Sequence, residues 1–78
     1  MSSRLSGLMD ALHTLARDQT LTVEERTLAA ERAIKGYLVT DPTTRKEMLD
    51  VLENEVTAKS GDFWNTVGEI IGHLRGAA

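Results

Sequence analysis

A chain of 78 residues is the size of one small domain, and with no cysteine it has neither a disulfide framework nor a cysteine-ligated zinc site to supplement its core. Nine basic residues against twelve acidic ones leave a net charge of -3, without a long block of either sign, so a nucleic-acid arm and a strongly acidic mimic surface are both disfavoured. No stretch approaches the roughly 18 apolar residues of a membrane span, and Asp10 and His13 interrupt the N-terminal apolar pattern before it resembles a signal-peptide core; a soluble, cytoplasmic protein is expected.

Leu5, Leu8, Met9, Leu12, Leu15 and Ala16 recur at three-four spacing and predict a first amphipathic helix over about residues 3–17, capped by Ser2 or Ser3. Two heptads of leucine fall short of the three or four that mark a coiled coil, so this stripe reads as one core face of a bundle. After the polar segment Asp18–Leu21, Thr22-Val23-Glu24-Glu25 has the pattern of a capping box. It starts a second helix over about 23–38, with Val23, Thr27, Ala30, Ile34, Tyr37 and Leu38 facing inward and Leu28 on the opposite side.

Pro42 pushes Asp41 out of helical geometry and ends that segment. Asp41 then caps a third helix with Pro42 at its first position, or Thr44 and Glu47 form a second capping box three residues on. The third helix is expected over about 42–59, its seam made by Leu49, Leu52 and Val56 with Met48 on the flank. Glu47, Asp50 and Glu53 make an acidic outer face, a secondary candidate for docking a basic partner. Ser60-Gly61-Asp62 is a tight stop and restart, with Gly61 in a left-handed conformation and Asp62 as the next cap, and it predicts that the third and fourth helices form an antiparallel pair.

The fourth helix, about 63–75, carries its apolar face at Phe63, Val67, Ile70, Ile71 and Leu74. Gly68, Gly72 and Gly76 repeat every four residues along one side. An interior glycine costs about 0.5–1 kcal/mol relative to alanine, and close approach of another backbone is the reason such spacing suggests. Trp64, Gly68, Ile71 and Gly72 are therefore the candidate partner-binding residues, with the tryptophan as anchor.

Chemistry is sparsely represented. His13 and His73 lack metal-ligand spacing, the hydroxyl residues sit at caps and loops, and no phosphate loop, nucleophile elbow or calcium loop is present. No catalytic residue, metal or cofactor is expected. The whole reads as an all-α, single-domain bundle of four short helices over residues 1–78. Its expected function is that of a non-catalytic protein-binding module. A regulator or inhibitor of the kind phages and mobile elements encode is the suggested type, self-associating through the last helix. The alternative is a helix-turn-helix DNA-binding regulator using the second and third helices, with Thr43, Thr44, Arg45 and Lys46 leading the recognition helix. Glu47, Asp50, Glu53 and Glu55 on that helix oppose a phosphate backbone, so nucleic acid is the disfavoured partner.

Overall fold

The computed structural model describes residues 3–76, with the side chain of Ser3 outside that description. Four α-helices follow in order: α1 Ser3–Arg17, α2 Val23–Tyr37, α3 Pro42–Thr57 and α4 Asp62–Gly76. Among the described residues there is no strand, and the all-α class stands. The expected caps fall on Ser2 and on the Ser3 side chain, which lie outside what is described. The chain divides into two units, Met1–Tyr37 and Leu38–Ala78, in which α1 packs on α2 and α3 packs on α4.

In the first unit Leu5, Leu8, Met9, Leu12, Ala30 and Ile34 are buried. Leu15, Ala16, Thr27 and Tyr37 are half-buried. Val23, expected inward, is 73% exposed: as the first residue of α2 it precedes the turn from which the helix packs. Leu28 is exposed as its position implied. The α1–α2 hairpin is antiparallel, because Arg4 Nη1 near the start of α1 donates to the Tyr37 carbonyl at the end of α2 (3.4 Å). Gly7 makes the close approach. A Cβ added there would stand 3.0 Å from Tyr37 Cε1, so the glycine leaves room for the tyrosine ring.

The connection between these helices is held by side chains. Asp18 Oδ1 accepts from the Thr20 amide (2.8 Å) and the Thr20 hydroxyl (2.5 Å), an Asx-type turn. Arg26, from the first turns of α2, reaches back to donate to the carbonyls of Asp18 and Leu21. The capping box forms in full: Glu25 N donates to Thr22 Oγ1 (3.1 Å) and Thr22 N to Glu25 Oε1 (2.9 Å). Removing the hydroxyl with Thr22→Ala leaves an α2 amide without its protein acceptor and is expected to cost about 1 kcal/mol, read as a lowered urea midpoint at unchanged slope.

In the second unit Asp41 is the cap of α3, its carboxylate accepting from Thr44 N (2.9 Å) with Pro42 in the first turn. The Thr44–Glu47 alternative is therefore not the start. The helix ends two residues sooner than expected. Ala58 is the C-cap, and Lys59 N donates to the Val56 carbonyl (3.0 Å), a three-residue bond that closes the last turn. Gly61 does adopt positive φ, at 116°, but it lies beyond the C-cap and turns the chain into α4. Its carbonyl accepts the first helical bond, from Asn65 N (3.0 Å). Asp62 is thus the first residue of α4 rather than its cap, where its charge complements the helix N-terminus.

Two of these turns set an acid limit. The Thr20 hydroxyl, then the Thr20 amide and Arg26, hold the Asp18 carboxyl below its ordinary range. The Thr44 amide and hydroxyl do the same for Asp41. A depressed native pKa means that the unfolded chain binds more protons, so this stabilisation is complete above the unfolded value near 4 and is lost as pH falls through the folded values. The urea midpoint should drop as pH is lowered below about 4. An Asp18→Asn, Asp41→Asn double variant, which keeps both acceptors, should show a shallower drop.

Candidate partner-binding face on the fourth helix

Helix α4 forms because its apolar residues repeat at helical spacing and Gly61 delivers the chain into it. Its pairing with α3 is antiparallel, as expected: Lys59 meets Trp64, Val56 meets Gly68, and Asp50 and Glu53 meet Arg75. Val67, Ile71 and Leu74 are buried, Val67 and Ile71 completely. Phe63 and Ile70 are only half-buried.

The seam is therefore rolled toward Ile71 from the Phe63–Ile70 side. A Cβ at Gly68 would lie 4.0 Å from Val56 Cγ1, an ordinary van der Waals distance, so this position faces α3. Ile71 at 0% exposure belongs to the core. Its expected place in a partner surface is corrected, and Gly68 likewise faces its own hairpin.

Trp64 is half-buried at the edge of this seam. Its ring stands edge-on to Phe63, centroids 5.1 Å apart at 80°, and Lys59 Nζ sits 5.9 Å from the ring centroid. Both are favourable aromatic geometries, and they set the indole at the boundary between core and solvent. Gly72 and Gly76 are different from Gly68. Nothing lies within 4 Å of a Cβ built at either, and both are exposed. Gly76 is the last residue of α4, where glycine is cheap. Gly72 is interior to the helix, and no described side chain uses the space it leaves.

The acidic face of α3 is not uniformly available. Glu47 is exposed, but Arg75 donates to Asp50 Oδ1 and its Nε lies 3.0 Å from Glu53 Oε2. The hydrogen bond to Asp50, with the nearby Glu53 charge, raises the Arg75 pKa above its ordinary value. Two of the three carboxylates proposed for docking are thus engaged inside the hairpin. Arg75 is the residue missed in sequence, although an antiparallel pair turning at Gly61–Asp62 places the last turn of α4 beside the middle of α3.

His13 is half-buried on α1 and His73 exposed on α4, in different units. Among the described residues no group of three or more histidine, cysteine or carboxylate side chains is arranged to hold a metal ion. No described helix is long and apolar enough to cross a membrane. Compared with family models, with curated proteins and with solved structures, the chain matches none. Its own geometry is what bears on function.

Proposed function

We propose that this protein is a small non-catalytic protein-binding module of the cytoplasm, a regulator or inhibitor in type, and that it self-associates through the outer side of α4 around Gly72, with the edge of Trp64 as flanking anchor. One observation carries the reading: Gly72 is an interior helical glycine with nothing within 4 Å of the Cβ it lacks. Such a residue costs helix stability, and whereas Gly68 faces Val56 within its own hairpin, Gly72 faces none of the described residues. A second backbone crossing at Gly72 is the contact that a missing side chain permits.

A symmetric dimer is the simplest occupant, since one patch then meets its own copy across a twofold axis. Sedimentation equilibrium of the intact chain over a micromolar series tests it. A concentration-dependent rise toward twice the 8.6 kDa monomer mass is expected. A strict monomer throughout removes self-association from the reading. On a DNA column at low salt the expected behaviour is flow-through; salt-dependent retention would instead favour the helix-turn-helix alternative.

A further inference from the structure

The second unit carries a groove of about 490 Å³ whose floor includes Leu49 of α3 and Leu74 of α4, with Pro42, Arg45, Lys46 and Arg75 around it. None of these belongs to the Trp64 and Gly72 surface. Leu49 and Leu74 are buried, so the floor is apolar. The charge on the rim is unevenly committed. Arg75 is held by Asp50 and Glu53, whereas among the described residues neither Arg45 nor Lys46 takes part in an ion pair.

Two adjacent unpaired cations beside an apolar floor, in a chain of net charge -3, make a local surface opposite in sign to the whole. We propose that this groove binds an acidic peptide segment of a partner protein, seating one large apolar side chain over Leu49 and Leu74 while flanking carboxylates meet Arg45 and Lys46. The planar guanidinium of Arg45 suits bidentate pairing with a carboxylate, and Lys46 adds a point charge. A nucleic-acid strand fits less well. Its phosphate backbone has nothing to place on the leucine floor.

The test uses the full chain, isotopically labelled, titrated with four probes: a short synthetic peptide with a central phenylalanine among aspartates and glutamates; the same peptide with the acids changed to amides; the acidic peptide with phenylalanine changed to serine; and a short DNA duplex. Saturable shifts of the amides of 43–49, 74 and 75 with the first peptide are expected. Either altered peptide, and an Arg45→Glu, Lys46→Glu variant with unchanged helical circular dichroism, should weaken binding at least about tenfold. Absence of these shifts at millimolar peptide overturns the proposal. Equal binding of the amide or serine peptide overturns it too, as does binding of the duplex in place of the peptide. The mapping on the unmodified chain decides the matter even if the double variant fails to fold.

Discussion

Ile71→Ala should lower the unfolding free energy by about 2–5 kcal/mol, the range for truncating a fully buried isoleucine and leaving a cavity. Ile71 has no exposed surface, and Val67 and Leu52 are likewise completely buried, so the residue belongs to a core in which a lost side chain leaves a cavity. For a chain of this length total stability is on the order of 4–12 kcal/mol, and the variant stands to lose much of it. Urea denaturation reads the effect. A change under about 0.5 kcal/mol, the size expected at the surface, would return Ile71 to the partner surface where the helical pattern alone had put it.

The second large effect is at Gly72. Gly72→Ala fits the open space and should stabilise the monomer by about 0.5–1 kcal/mol through helix propensity. Gly72→Leu should keep the helix and remove the dimer. Forcing a branched side chain into a close helix crossing costs about 1–3 kcal/mol, or roughly a tenfold to hundredfold weaker self-association. The opposite signs separate interface from fold: one residue, made larger, gives a more stable monomer and a weaker dimer. If Gly72→Leu sediments as the unmodified chain does, Gly72 marks no interface.

Local chemistry explains why the helix starts were legible and other features were not. Thr22 with Glu25, and Asp41 with Pro42, are short-range signals whose partners lie three residues away, and both form as expected. The end of α3 was misplaced because Lys59 N bonds to the Val56 carbonyl three residues back, a tightening of the last turn that spacing does not reveal. The roll of α4 was hidden for a different reason. Phe63, Val67, Ile70, Ile71 and Leu74 cover a broad apolar arc, and which half is buried depends on where α3 lies against it, on the side of Gly68 and Arg75. That is a tertiary fact. The same holds for Gly7, whose reason is a tyrosine ring far along the chain, and for Arg26 and Arg75, whose acceptors lie in a loop and on another helix. At the candidate site, Trp64 lies at the edge of the seam and Gly72 on its exposed side, and both were picked out by residue type and spacing alone. The same spacing also gathered in Ile71 and Gly68, which face the hairpin interior.

Self-association through the outer side of α4 is tested most directly by an isotope-filtered nuclear Overhauser experiment on an equimolar mixture of labelled and unlabelled chains at the highest concentration used in sedimentation. Intermolecular cross-peaks from the Gly72 α-protons to α4 protons of the second copy, with others at the Trp64 indole, are the predicted result. A spectrum with no intermolecular peaks, or with peaks confined to other helices, would contradict it.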